Sequence, residues 1–172
     1  EFTDETLKLA VIQALNLTKN EITMGDILNI THLDVSNSGI SSLTGLEYAK
    51  NLQSLDISYN QITNLSPLSE LNNLTHLNVG YQLIEGGMLE TQDGIIKFKL
   101  ELTNRNGERL TPELSLRNNL TFKDSVVETM IDEDGYITVD TTKLASSTYT
   151  LYAHYVDEGE ELKVQVIYMF QN

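Results

Sequence analysis

A 22-residue repeat in the first half of the sequence constrains the fold more than any other feature. Residues 30–51 and 52–73 align without a gap, and a third copy begins at residue 74. The spacing L-x-x-L-x-L-x-x-N-x-L is that of a leucine-rich repeat, in which each coil buries its apolar side only by stacking on the next. The shared apolar columns are Ile30/Leu52/Leu74, Leu33/Leu55/Leu77, Val35/Ile57/Val79 and Ile40/Ile62/Ile84.

Each copy predicts a short strand and a return segment. Leu55 and Ile57 are two residues apart and therefore face the same side of a strand. Later apolar residues turn the chain back through helical or 3₁₀ structure. At the Asn position of the pattern, the copies carry Ser38, Asn60 and Gln82. A buried polar side chain there is expected to bond the backbone of adjacent coils, so this column is interpreted as structural.

A helix is predicted ahead of the repeats. Thr3 or Asp4 can cap it, and Asn16 can close it. The apolar residues at helical spacing are Leu7, Val11 and Leu15. The third copy loses the pattern after Ile84, so the solenoid is predicted to stop near residue 86. So short a stack needs both ends covered, and we expect the helix to cap one of them.

The second half changes to period-two alternation from about residue 90. The alternating segments are residues 96–102, 149–155 and 162–170, and the connections are residues 104–107, 132–135 and 157–160. Short strands at this spacing predict an antiparallel β-sandwich of the immunoglobulin-like kind, packed end-on against the last coil. We therefore predict two domains: residues 1–88, a helical cap plus leucine-rich repeats, and residues 89–172, the immunoglobulin-like β-sandwich.

Composition narrows the function classes. The 172 residues include 25 acidic and 11 basic ones, for a net charge of −14, so no nucleic-acid partner is expected. No apolar run approaches the ~20 residues that span a bilayer, so no membrane insertion is expected. The absence of cysteine excludes disulfides and thiolate catalysis.

No catalytic residue, cofactor or metal site is predicted. The sequence has no G-x-S-x-G elbow and no phosphate-binding glycine loop. Asp132–Gly135 resembles half of a calcium loop, but Met130 and Thr141 would occupy the first and last ligand positions. This segment is therefore predicted to be a hairpin turn, and the acidic run at residues 157–161 a solvated one.

Stacked coils place residues 22 positions apart side by side, about 5 Å from each other. The outward rows are His32/Ser54/His76, Asp34/Asp56/Asn78, Ser36/Ser58/Gly80 and Asn37/Tyr59/Tyr81. Histidine and aspartate are zinc ligands, but His32 and His76 lie two strand spacings apart, so no metal is predicted. We interpret this concave face as a recognition surface that is polar and has aromatic residues at its edge. The alternative is a face that contacts only solvent. Its candidate binding residues are His32, Asp34, Ser54, Asp56, Tyr59, His76, Asn78 and Tyr81.

Two segments resemble the internalin family, surface proteins of Gram-positive bacteria. FTDETLKLAVIQALN resembles its helical cap, and ISSLTGLEYAKNLQSLDISYNQITNLSPLSELNNLTHLNV its 22-residue repeats. The likeness covers roughly residues 2–84. It implies export, an extracellular location at the cell surface, protein or glycan binding by the concave face, and immunoglobulin-like modules after the repeats. The chain has far fewer repeats than the members of this family that bind a host receptor, so its concave face is small.

Together these features predict a non-enzymatic bacterial cell-surface protein for recognition or adhesion. Its partner would be a protein or a glycan, bound through the concave repeat face. A structural spacer that displays another part of a longer surface protein is the alternative. A hydrolase would require a cleft with convergent carboxylates, which this architecture does not predict.

Overall fold

The computed structural model describes residues 1–18, 20–99, 101–111, 113–121, 123–126, 130–145, 147–156 and 163–171. The chain forms two compact units. The first contains chiefly Glu1–Gln82 and Leu102–Leu110, and the second Leu83–Glu101, Thr111–Val156 and Val164–Asn172. The predicted connection and acidic run at residues 157–161, and the strand positions Leu100 and Leu162, lie outside the described residues. The predicted boundary between residues 88 and 89 stays a prediction.

The first helix, α1, spans Glu5–Ala14. Asp4 is its N-cap, and its Oδ1 accepts hydrogen bonds from backbone N–H groups of the first turn at 3.0 and 3.1 Å. Its Oδ2 accepts from the N–H of Ser41 at 2.8 Å and of Ser42 at 3.3 Å. One carboxylate therefore both caps the helix and ties it to the first coil. The second helix, α2, spans Met24–Leu28 and begins with a capping box of Thr23 and Asp26.

Three strands, one from each coil, form a parallel sheet in the first unit. They are β1 (His32–Asp34), β2 (Ser54–Asp56) and β3 (His76–Asn78). Leu33 pairs with Leu55, and Leu55 pairs with Leu77, which is the register that the 22-residue period predicts. The chain returns through 3₁₀ turns at Leu46–Tyr48 and Ser66–Leu68. Leu33 and Leu55 of the strands are buried with Leu46 and Leu68 of the turns, which is the architecture of a leucine-rich repeat.

Asn60 joins two coils through its buried carboxamide, which is 2% exposed. Its Oδ1 accepts from the N–H groups of Ser38 and Ile40, both at 3.0 Å. Its Nδ2 donates to the carbonyls of Val35 and Ile57, both at 2.9 Å. Because these backbone groups are removed from water, the side chain supplies partners that the coil geometry leaves open.

Gln82 repeats this role one coil later. It is fully buried; its Oε1 accepts from the N–H of Ile62 at 2.9 Å, and its Nε2 donates to the carbonyls of Ile57 and Val79. The polar column is therefore structural, as its position in the repeat predicts.

The segment Leu102–Leu110 covers the last coil. The N–H of Thr103 donates to the carbonyl of Thr63, and the N–H of Leu65 donates to the carbonyl of Thr103, both at 2.9 Å. Arg105 donates from Nε to the carbonyl of Leu68 at 3.0 Å and from Nη2 to that of Leu71 at 2.8 Å. A guanidinium fork thus adds a charged donor to two carbonyls of the last return segment, each of which also accepts a backbone N–H.

The remaining strands, which lie chiefly in the second unit, form two sheets within the described residues. One has the order β4-β11-β10-β6-β7 and the other β5-β9-β8, and the described pairings in both are antiparallel. The strands are β4 (Tyr81–Met88), β5 (Ile95–Lys99), β6 (Glu113–Asn118), β7 (Asp124–Val126), β8 (Met130–Ile131), β9 (Tyr136–Asp140), β10 (Thr148–Val156) and β11 (Lys163–Gln171).

Aromatic rings from both sheets meet in this unit's core. Phe98 of β5 packs on Tyr168 of β11 with ring centroids 4.7 Å apart, and Tyr149 stacks on Phe170 at 5.3 Å. Gly86 lies against this core, since a Cβ there would come within 2.0 Å of the Tyr168 ring. The pattern change after Ile84 therefore marks a strand that needs glycine, rather than the simple end of a coil.

Two predicted turns are confirmed. The N–H of Gly107 donates to the carbonyl of Asn104, and that of Gly135 donates to the carbonyl of Asp132. Among the described residues, neither helix has the length and hydrophobicity needed to cross a membrane.

We expect Asn60→Ala to lower the free energy of unfolding of the first unit by about 3 kcal/mol, because several buried backbone groups would lose their partner. Urea denaturation, with hydrogen exchange of residues 30–73, measures this loss. Ser38→Ala is the control: its half-buried hydroxyl makes one bond, to the Ser36 carbonyl, so the change should stay below about 1 kcal/mol. Equal losses in the two variants would contradict the structural role of Asn60.

Arg105→Ala should destabilise the same unit by about 2 kcal/mol, because the carbonyls of Leu68 and Leu71 would lose a charged donor. Arg105→Lys should recover part of this loss, since an ammonium cannot reproduce the planar fork. The exposed neighbour Asn106→Ala is the control. Thermal unfolding decides: if Arg105→Ala and Asn106→Ala melt together, the segment does not hold the last coil.

A polar and aromatic strand face as candidate binding site

The exposed side of the sheet β1-β2-β3, together with the residues just after β2 and β3, forms the strand face. The register places His32, Ser54 and His76 in one row, and Asp34, Asp56 and Asn78 in the next. Adjacent members of a row are one strand spacing, about 5 Å, apart. The strand face is defined by the eight predicted residues His32, Asp34, Ser54, Asp56, Tyr59, His76, Asn78 and Tyr81.

Asp56 lies at the centre of this face and is held by three hydrogen bonds. Its Oδ1 accepts from the hydroxyl of Ser58 at 2.6 Å and from the N–H of Ser58 at 2.9 Å. Its Oδ2 accepts from Nδ2 of Asn78 on the next strand at 2.7 Å. Partial burial opposes ionisation, but the bonds from Ser58 and Asn78 prevail and hold the pKa of Asp56 below its ordinary value.

Ser58 corrects one part of the sequence prediction. It was expected to face outward, yet it is buried, with 4% exposure. Its hydroxyl turns to the Asp56 carboxylate, and Ser36 makes the same contact with Asp34 at 2.8 Å. The repeated Asp-x-Ser at residues 34–36 and 56–58 is the signal that could have revealed this motif, because Asp side chains bond backbone two residues on. Ser58 thus positions a candidate binding residue.

The two histidines remain separate. His32 Nδ1 bonds the hydroxyl of Thr31, and His76 Nδ1 bonds that of Thr75, each at 3.0 Å. The strand that carries Ser54 lies between them, so the rings start from backbones about 10 Å apart. Within the part of the chain that the structure describes, no three His, Cys, Asp or Glu side chains come together as metal ligands.

Tyr59 and Tyr81 meet at the edge of the strand face. They are 62% and 54% exposed, their ring centroids lie 6.0 Å apart, and their planes are inclined by 36°. Gly80, before Tyr81, has a φ of +44°, and a Cβ there would lie 2.5 Å from the Cβ of Ser58. The chain can bring the second ring beside the first only because residue 80 has no side chain.

The face therefore combines an ordered carboxylate and carboxamide with an exposed aromatic pair. Such groups can accept and donate hydrogen bonds and can cover an apolar surface of a ligand. Hydrogen bonds hold the side chains of Asp56 and Asn78, so these two would lose little conformational freedom on binding.

A family model described as Leucine Rich repeats (2 copies) matches residues 50–86. No curated protein sequence matches the chain.

Two solved structures from ZmpB of Clostridium perfringens are similar over 100% of this chain. The structure of its CBM51-2 and INT domains is 30% identical with a TM-score of 0.80. That of CBM51-2 in complex with GlcNAc and INT domains is 30% identical with a TM-score of 0.79. The chain spans 36% of each. An internalin from Listeria monocytogenes is 36% identical over 46% of this chain and 24% of its own, with a TM-score of 0.44.

The lowered pKa of Asp56 predicts a change in acid stability. Because the folded state holds this carboxylate ionised, its contribution is complete above its ordinary pKa of 3.8 and is lost as the pH falls through the lower, folded value. Asp56→Asn should therefore be less stable than the wild type at pH 6, and the gap should close below about pH 3.8.

Urea denaturation at a series of pH values measures this gap. Asp34→Asn, the same change in the same row, controls for the loss of one charge without touching Asn78. A wild type and an Asp56→Asn variant whose stabilities run parallel from pH 6 to 2.5 would contradict the assignment.

Proposed function

We propose that this internalin-like leucine-rich-repeat chain recognises a protein or glycan outside the bacterial cell through its strand face. The observation that carries the proposal is the pre-positioned set of Asp56, Asn78, Tyr59 and Tyr81. Asp56 and Asn78 are joined at 2.7 Å, and the two tyrosines expose more than half of their surface. Exposed aromatic residues beside fixed polar groups are typical of recognition surfaces.

The repeat supports this role because it fixes the spacing of the face. Neighbouring strands are joined by backbone hydrogen bonds, such as that from the N–H of Ile57 to the carbonyl of Asn78 at 2.9 Å. Side chains on such a scaffold keep their separations before and after binding. Binding sites built on rigid elements hold their geometry better than sites on loops.

An extracellular location rests on the kind of protein to which the chain is similar. One solved relative includes CBM51-2 in complex with GlcNAc, which gives a glycan as one class of partner for that protein. This chain spans 36% of that structure, so the location and the partner are proposals for this chain. The net charge of −14 would favour solubility at a cell exterior.

We extend the proposal to the domain roles. The helix α1 would cap the repeat stack: Leu7 and Val11 are fully buried, and Asp4 bonds Ser41 and Ser42 of the first coil. The second unit would be an immunoglobulin-like sandwich, since two sheets contribute to one core through Phe98 and its neighbours. The proposed role is non-enzymatic, and the boundary between residues 88 and 89 is part of it.

A spacer role is the second candidate. The similarity to ZmpB covers both units of this chain within a structure that also contains another domain, CBM51-2. A segment that only displays a neighbouring domain would need no partner of its own.

The double change Asp56→Ala and Tyr59→Ala should reduce binding of the fluorescently labelled chain to whole host or bacterial cells about tenfold or more, because it removes the central carboxylate and one ring of the face. Flow cytometry measures the bound fraction. Tyr48→Ala is the matched control, since Tyr48 is also exposed (39%) but lies in the 3₁₀ turn Leu46–Tyr48. Equal cell binding by the wild type and the double variant would remove the recognition role and favour the spacer.

A further inference from the structure

Tyr59 occupies a backbone conformation that does not suit it. Its φ is +56°, in the left-handed region, where residues with bulky side chains are rare outliers. The equivalent residue of the first coil, Asn37, has a φ of +51°. Asparagine tolerates this conformation because its short polar side chain can bond the local backbone. Two successive coils therefore require a left-handed residue at the same position. The first coil has asparagine there, which suits this conformation, and the second has tyrosine, which does not.

Burial does not explain the tyrosine. Its side chain is 62% exposed, so it gains little from the hydrophobic effect in the free protein. A residue kept in a disfavoured conformation while its ring faces solvent points to a role outside folding. The second ring, Tyr81, lies 6.0 Å away at an inclination of 36°, so the two form one shallow aromatic platform.

Gly80 joins the polar pair to this platform without adding a side chain between them. It stands between Asn78 and Tyr81 in the chain, and a Cβ there would lie 2.5 Å from the Cβ of Ser58. On the polar side, Asp56 and Asn78 hold each other at 2.7 Å. A ligand ring could therefore lie on the tyrosines and reach the carboxylate and carboxamide with its hydroxyl groups.

The number of residues in the face favours one of the two classes of partner. The strand face consists of eight residues, carried by three strands of three residues and by the positions just after two of them. A standard protein interface uses about 20–30 residues on each partner. The face is smaller than that, and its size suits one or two sugar rings. The C–H faces of a pyranose are apolar and its edges carry hydroxyl groups, which suits a platform beside polar groups.

Charge decides the kind of sugar. Asp34 and Asp56 occupy the central row, and the chain carries a net charge of −14. A carboxylate or sulfate on the ligand would be repelled, whereas neutral hydroxyl groups can donate to Asp56.

Resting on the proposed function, we propose that the strand face binds a neutral hexopyranose unit of a glycan, stacked on Tyr59 and Tyr81 and hydrogen-bonded by Asp56 and Asn78. On this proposal Tyr59 adopts an unfavourable left-handed backbone conformation because its ring contacts the ligand.

The test compares Tyr59→Asn, which copies the first coil, with Tyr59→Phe, which keeps the ring. An array of neutral and sialylated oligosaccharides selects the probe, and calorimetric titration of the full chain with the selected neutral trisaccharide measures affinity. Tyr59→Asn should weaken binding about tenfold or more while its melting temperature stays equal or rises, and Tyr59→Phe should retain most of the affinity. A sialylated counterpart should bind more weakly than the neutral sugar.

The proposal is overturned if no neutral glycan on the array binds, if sialylated glycans bind more tightly, or if Tyr59→Asn keeps its affinity. It is also overturned if Tyr59→Asn melts at a lower temperature, since the ring would then serve folding. A third outcome would be cell binding that depends on Asp56 and Tyr59 and is abolished when the cells are treated with protease but not with periodate. The partner would then be a protein. This result would keep the recognition role and overturn the glycan proposal.

Discussion

The stacking of one coil on the next is the constraint on which the rest of the first unit depends. A single coil can bury neither its leucines nor its backbone, so each turn relies on its neighbours. The carboxamide of Asn60 links neighbouring coils in this way. Its oxygen accepts hydrogen bonds from the N–H groups of Ser38 and Ile40, and its nitrogen donates to the carbonyls of Val35 and Ile57. Apolar burial draws the coils together, and the amide column fixes their register.

The same register builds the strand face. Residues 22 positions apart become neighbours. Asp56 therefore contacts Asn78, and Tyr59 lies beside Tyr81, as a consequence of the repeat alone. Function and stability share a scaffold but differ in their demands. Asn60 faces inward and satisfies backbone groups, whereas Tyr59 next to it adopts a disfavoured conformation and leaves its ring in solvent. Asn60 is explained by the stability of the fold, whereas for Tyr59 we propose a role in recognition.

Much of this arrangement could be predicted because the repeat converts spacing into position. The pairing of the strands, the role of the Asn60 column, the N-cap at Asp4 and the turns at residues 104–107 and 132–135 all follow from local pattern. The prediction for Ser58 was wrong, because alternation along a strand does not reveal that a hydroxyl turns back to bond Asp56. The fit of Gly86 to the Tyr168 ring joins residues 82 positions apart, which no local pattern encodes.

The sequence by itself determined the repeat, its register and the residues that share each row, since these depend on a period that continues from coil to coil. Only the tertiary structure decided how the stack ends, through Arg105 and the carbonyls of Leu68 and Leu71. It alone also showed the inclined tyrosine pair and the left-handed backbone of Tyr59. Periodicity reports which residues become neighbours, whereas ring angles, backbone conformation and the partners of a chain end depend on contacts between segments that share no pattern.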